Sequence, residues 1–141
     1  MRTIHIPLIF LSLFILTACG QTKVSGPFVD PDASWPEDCR NQGYFSEEFP
    51  LDVVYPKSVP INSMAVGNEG ESGFLANFCT KSTAQNIVSW YKNQYESQGY
   101  EYYTIETVHF WKSPIKSVML DVREEPGDYV HYSVDVRWKD S

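Results

Sequence analysis

The apolar positions along this chain fall into two periodicities, and each predicts a kind of element. From residue 84, Ala84, Ile87, Val88, Tyr91 and Tyr95 recur at helical spacing, while Gln85, Asn86, Ser89, Lys92, Asn93 and Glu96 cover the opposite side. Ser82-Thr83-Ala84-Gln85 ahead of that stripe matches a capping box with Ser82 at its head. Gly99 is placed to close the helix in a left-handed conformation. Elsewhere the alternation has a period of two. Phe74, Ala76 and Phe78 alternate with Leu75, Asn77 and Cys79; Val118, Leu120 and Val122 with Ser117, Met119, Asp121 and Arg123. Val130, Tyr132, Val134, Val136 and Trp138 alternate with Tyr129, His131, Ser133, Asp135 and Arg137.

Three less regular stretches complete the sheet. Leu51–Tyr55, bracketed by Pro50 and Pro56, reads as a first strand, and Ile61–Val66 as a short second one. Tyr100–Trp111 is rich in Tyr, Thr, Ile and Val and reads as one strand. Gly67–Gly73 reads as a loop, and Glu125-Pro126-Gly127 as a hairpin turn. Matching apolar to apolar across that hairpin pairs Val122 with Val130, Leu120 with Tyr132 and Val118 with Val134, and sets Asp121 opposite His131. The predicted order is β-β-β-α-β-β-β. That is an α+β fold, an antiparallel sheet of about five to six strands with one main helix on one face.

The greasiest run of all, Leu8–Leu16, fits neither period. It is too short for the roughly 20 apolar residues a membrane-spanning helix requires, and it follows a positive start at Arg2. That is the layout of a signal peptide. It ends in Leu16-Thr17-Ala18-Cys19, which resembles the lipobox of bacterial lipoproteins. The resemblance implies cleavage after residue 18, so that 1–18 is a signal peptide and Cys19 becomes the first mature residue, joined to diacylglycerol. It also implies a membrane partner through that lipid: each buried CH₂ contributes ~0.8 kcal/mol, and stable anchoring takes two or more chains. Gly20, rather than Asp, follows the cysteine, which favours the outer over the inner membrane of the cell envelope. Residues 19–34, with Gly26, Pro27 and Pro31, read as a lipidated flexible tether, and 35–141 as the folded domain. Tyr55-Pro56, Trp90-Tyr91-Lys92 and Gly99-Tyr100 further resemble a pattern in small uncharacterised bacterial lipoproteins, a group from which no activity carries over.

Of three cysteines, lipidation takes Cys19 and leaves Cys39 and Cys79 free to pair in an oxidising compartment. The bond closes a loop of about 40 residues and contributes roughly 4 kcal/mol in the loop-entropy account. Metal binding by the pair would need His or Cys in clustered spacing, and none is present in the sequence. No cofactor motif is present either, and Gly67–Gly73 has no Lys or Ser/Thr placed to cradle phosphate.

Net charge is −7, which argues against nucleic acid, since phosphates call for clustered Lys and Arg. With 43% hydrophobic and 21% charged residues the rest is ordinary for a globular chain. There is no G-x-S-x-G element, and Cys39 and Cys79 are better accounted for by their bond. His131 with Asp121 or Asp135 is the one base-and-orienter pairing available to a small envelope hydrolase, and His109 is a candidate pocket residue. Aromatics make up 15%, more than one helix face and one sheet face must bury. Trp90, Tyr102, Tyr103 and Trp111 are therefore candidate partner-binding residues. The function these readings favour is a lipid-anchored, non-enzymatic binding or accessory module with no cofactor; the alternatives are that hydrolase or an envelope-assembly or toxin-neutralising lipoprotein.

Overall fold

A computed structural model describes residues 26–141. The expected signal peptide, Cys19 and the start of the tether lie outside the described residues. The elements are α1 (Glu37–Arg40), β1 (Val59–Asn68), β2 (Glu71–Thr80), α2 (Ala84–Glu96), β3 (Glu101–Ile105), β4 (Val108–Lys112), β5 (Lys116–Glu124) and β6 (Val130–Lys139). The strands form one six-stranded sheet in the order β1-β2-β6-β5-β4-β3, antiparallel at every pairing. The architecture is α+β, a sheet with one main helix.

The core follows the alternation. Ala76 and Phe78 of β2, Tyr132, Val134 and Val136 of β6, Val118 and Leu120 of β5 and Trp111 of β4 are buried together. Ile87, Tyr91 and Tyr95 of α2 join them, and Tyr91 and Tyr95 lie with ring centroids 5.8 and 6.0 Å from that of Trp111. Phe78 stacks on Tyr132 at 5.0 Å. Gly73 lets β6 approach β2 closely, since a Cβ there would meet the Val136 carbonyl. Among the described residues no helix is long and apolar enough to cross a membrane.

The helix ends as its sequence predicts and begins one residue later. Gly99 has φ 82°, the Gly99 amide donates to the Glu96 carbonyl and the Tyr100 amide to that of Tyr95. With the Tyr100 ring 5.1 Å from Tyr95, this is a complete Schellman closure. At the other end Thr83, not Ser82, is the cap: its hydroxyl accepts from the Asn86 amide at 3.1 Å. The Ser82 hydroxyl is instead in contact with the Tyr55 hydroxyl at 2.9 Å.

Four other elements differ from expectation, each for a physical reason. Leu51–Val53 is a turn of 3₁₀ helix, not a strand. Two prolines confine it, Val53 and Val54 are buried, and the Val53 carbonyl takes the Tyr91 hydroxyl in place of a strand partner. Tyr100–Trp111 is two strands, because Glu106 adopts φ 54° and reverses the chain between Ile105 and Val108. Gly67–Gly73 is mostly strand, with only Glu69 and Gly70 in the turn. In the β5–β6 hairpin Val122 pairs with Tyr132, Leu120 with Val134 and Val118 with Val136. That is a two-residue slip from the apolar matching, and it keeps every side chain on its face because the period is two. The longer loop it leaves accommodates Pro126, with Gly127 at φ 129°.

The expected tether also docks over part of its length. The Lys57 amide donates to the Pro27 carbonyl and the Val29 amide to that of Ser58. Phe28 sits against Phe45 and Phe78. The packed chain therefore starts ahead of Trp35.

Candidate functional site

Docking of 27–29 beside Ser58 brings Val29 to the wall of a surface cleft. This open cleft of about 600 Å³ is lined by Val29, Trp35, Tyr55, Pro56, Lys57, Thr80, Lys81 and Ser82. Three segments converge there: the docked N-terminal stretch, the Tyr55–Lys57 bend and the β2–α2 link. Lys57 holds φ 60°, a left-handed conformation uncommon for a side chain with a Cβ, and so completes the bend. Ser58, fully buried beneath it, fixes the bend. Its hydroxyl donates to the Tyr55 carbonyl at 2.7 Å and lies 2.6 Å from the Tyr132 hydroxyl.

The lining is split by chemistry. Val29, Trp35 and Pro56 give it an apolar part, and Tyr55 and Ser82 present a pair of hydroxyls. Lys81 is pinned: its Nζ donates to the Ser34 hydroxyl at 2.8 Å and lies 4.8 Å from the centre of the Trp35 ring. Ser34 in turn donates to Asp32, and those bonds, with a smaller contribution from Lys81, lower the Asp32 carboxyl below its usual range. Neither Lys57 nor Lys81 forms an ion pair among the described residues. Two lysines with no ion pair among the described residues, beside an apolar wall in a chain of net charge −7, form a place that can take an anionic head attached to an apolar body.

The residues singled out in the sequence are dispersed. Cys39 and Cys79 are disulfide-bonded and fully buried, in a small cluster with Trp35 and Val59. Trp111 is fully buried, so it is a core residue and not a partner-binding one. Trp90 is partly buried, edge-on to Tyr55 at 5.8 Å and to Tyr91 at 4.9 Å. Tyr102 is also partly buried, under the Lys92 ammonium at 4.4 Å, and its hydroxyl contacts His109 Nδ1 at 2.8 Å. Burial chiefly, and then the Lys92 charge, lowers the pKa of His109. Only Tyr103 of the four aromatics is exposed, at 44%, stacked flat on Phe110.

The proposed base and orienter are not brought together. Asp121 pairs across the sheet with Ser133 and is held by Arg123 at 3.1 Å. Asp135 is held in a fork by Arg137 at 2.9 and 2.8 Å. His131 finds a carboxylate that the alternation did not point to: its Nε2 lies 3.1 Å from Asp38 Oδ2 and 3.4 Å from Cys39 Sγ.

Sequence reasoning missed the cleft lysines. The available signal was local: Lys57-Ser58 and Lys81-Ser82 are both Lys-Ser pairs in non-helical punctuation within an acidic chain. What the sequence does not display is that a segment read as tether folds back to wall them in. Comparison with protein families, with curated proteins and with solved structures finds no match to this chain.

Proposed function

We propose that the protein is a lipid-anchored, non-enzymatic binding module of the bacterial cell envelope, acylated at Cys19, whose cleft takes a small amphiphilic anion. The observation that carries the reading is the pairing of Lys57 and Lys81 with an apolar wall in an otherwise acidic molecule. Anchoring fits this placement. Cys19 precedes the first described residue, Gly26, by a stretch that spans at most about 25 Å when fully extended. Acylation would thus keep the cleft close to the membrane surface. In this reading α2 lies on one face of the sheet as a rigid backing, and the β2–α2 link leaves it at the cleft. The outer membrane remains the favoured location because of Gly20.

The test uses phenyl phosphate, an apolar ring with an anionic head, and the full membrane-extracted chain in detergent. Saturation-transfer NMR is expected to show binding that weakens with added salt. Lys57→Met with Lys81→Met is expected to lower affinity by at least about tenfold while leaving the melting temperature in place. Equal affinity in the double variant would refute the cleft. Intact mass of the same preparation reads the anchor separately: a chain starting at Cys19 and carrying acyl groups is expected, and an unacylated chain would refute it.

A further inference from the structure

At the Cys39–Cys79 bond three metal-ligating atoms, one each from α1, β2 and β6, meet, with a carboxylate beside one of them. Cys39 Sγ, Cys79 Sγ and His131 Nε2 all lie within 4.8 Å of one another. Asp38 Oδ2 stands 3.1 Å from the same imidazole nitrogen. We propose that reduction of this disulfide converts the corner into a tetrahedral site for a thiophilic divalent cation of the zinc class, held by Cys39, Cys79, His131 and Asp38.

The argument is one of edge lengths. Zinc bonds of about 2.3 Å to sulfur and about 2.0–2.2 Å to nitrogen and oxygen, at tetrahedral angles, put sulfur and nitrogen ~3.6 Å apart and nitrogen and oxygen ~3.4 Å apart. Cys39 Sγ to His131 Nε2 is 3.4 Å, and His131 Nε2 to Asp38 Oδ2 is 3.1 Å. Two edges of the tetrahedron are therefore already close to size with no metal there. The two sulfurs must part, to ~3.8 Å, and the Asp38 carboxylate, which lies outside the 4.8 Å group of Cys39, Cys79 and His131, must swing towards them; side-chain rotation can supply both movements. Two sulfurs, one imidazole and one carboxylate form a donor set that suits zinc rather than calcium or magnesium. The surroundings suit it too. The sulfurs are buried among Trp35 and Val59, while the His131 and Asp38 side chains, 29% and 55% exposed, open a route from solvent. The Tyr129 ring, 5.4 Å from that of His131, flanks the imidazole.

The chemistry balances with a dithiol as reductant. Thiol–disulfide exchange transfers two electrons and two protons, so the dithiol becomes a disulfide and Cys39 and Cys79 become thiols. The incoming cation displaces both thiol protons and binds His131 through Nε2, leaving the ring proton on Nδ1. Exchange with an incoming disulfide reverses the step: that disulfide takes up two electrons and two protons and leaves as a dithiol, Cys39 and Cys79 close their bond again and the cation is released, so disulfide and metal are mutually exclusive.

The full chain in detergent, reduced with a phosphine that does not compete for metal, tests this by titration with cobalt(II) and displacement by zinc. One equivalent of cobalt is expected, with a thiolate-to-cobalt charge-transfer band and the visible bands of tetrahedral cobalt. The oxidised chain should show neither, and Cys19→Ser should leave the spectrum unchanged. His131→Ala is expected to lower cobalt affinity by more than about tenfold and to weaken the visible bands, with Asp38→Ala acting in the same direction. Where reduction itself unfolds the chain, cobalt should restore the native far-ultraviolet circular dichroism of the wild type but not of His131→Ala. The proposal is overturned by a reduced, folded chain that takes up no cobalt, by a cobalt site indifferent to His131→Ala, or by a reduced, unfolded chain that metal fails to refold.

Discussion

Two tyrosines one helical turn apart offer a controlled comparison. Tyr91 and Tyr95 both project from α2 into the core, both are essentially unexposed, and both rings pack near Trp111. Their hydroxyls differ. Tyr91 donates to the buried Val53 carbonyl, whereas the Tyr95 hydroxyl has no partner among the described residues. Burial raises both phenol pKa values, Tyr95 less through neighbouring charge than through desolvation, so neither ionises near neutrality. Tyr91→Phe removes a donor and strands a carbonyl, which costs ~1–3 kcal/mol; Tyr95→Phe removes a hydroxyl that lost its water without compensation, which stabilises by ~1 kcal/mol. The Lys116 ammonium, 5.6 Å from the Tyr95 ring centre, keeps its aromatic neighbour in the second variant. The two variants should therefore differ by ~3 kcal/mol, about 10 °C in melting temperature for a domain of this size. Urea unfolding followed by tryptophan fluorescence reads the difference directly, provided the slope m is unchanged. A Tyr95→Phe variant as destabilised as Tyr91→Phe would refute the reasoning.

Other outcomes follow from features already described. Cys39→Ser with Cys79→Ser should lower stability by roughly 4 kcal/mol, the loop-entropy value for a sequence separation of 40, read by denaturant midpoint under oxidising conditions. Because His109 has a lowered folded pKa, the unfolded chain binds its proton first as pH falls. Stability from this site should be complete above the unfolded value of about 6.5, decline as pH drops from there to the lowered folded value, and then level off; His109→Gln should flatten that part of the pH profile of melting temperature. Gly99→Ala should cost ~1 kcal/mol through the left-handed backbone it must adopt, seen as a drop of a few degrees in melting temperature.

How much was legible depends on what each signal reports. Alternation gave the β2, β5 and β6 cores, and the stripe at Ile87, Tyr91 and Tyr95 gave α2, because both record burial by an element's own face. Burial is blind to a two-residue slip, which is why the β5–β6 register moved while every face stayed. A turn is legible when glycine or asparagine marks a positive φ; Glu106 and Lys57 adopt one without that mark, so the pattern shows neither the break between β3 and β4 nor the cleft bend. The disulfide is readable in the sequence once the lipobox resemblance sets Cys19 aside, because two candidates then remain. Asp38 comes beside His131, and Lys57 and Lys81 come to line one cleft, only after α1 and the stretch around Phe28 have docked, and no local periodicity encodes docking.

The strand order also sets when this molecule can finish folding. β1 and β2 form one hairpin and β3, β4 and β5 one meander, and each can zip up from neighbours in sequence. The last strand in chain order, β6, lies between β2 and β5 and is the seam that joins the two. A chain emerging N-terminus first would hold two half-sheets with raw edges until residues 130–139 arrive, and such edges are where chains stick to one another. The Cys39–Cys79 bond belongs wholly to the first half, so an oxidant can lock it before the seam exists. His131 rides in on β6 and closes over the sulfurs afterwards. For a nascent chain, the interval before β6 arrives is also when those two thiols stand most open to whatever reaches them first.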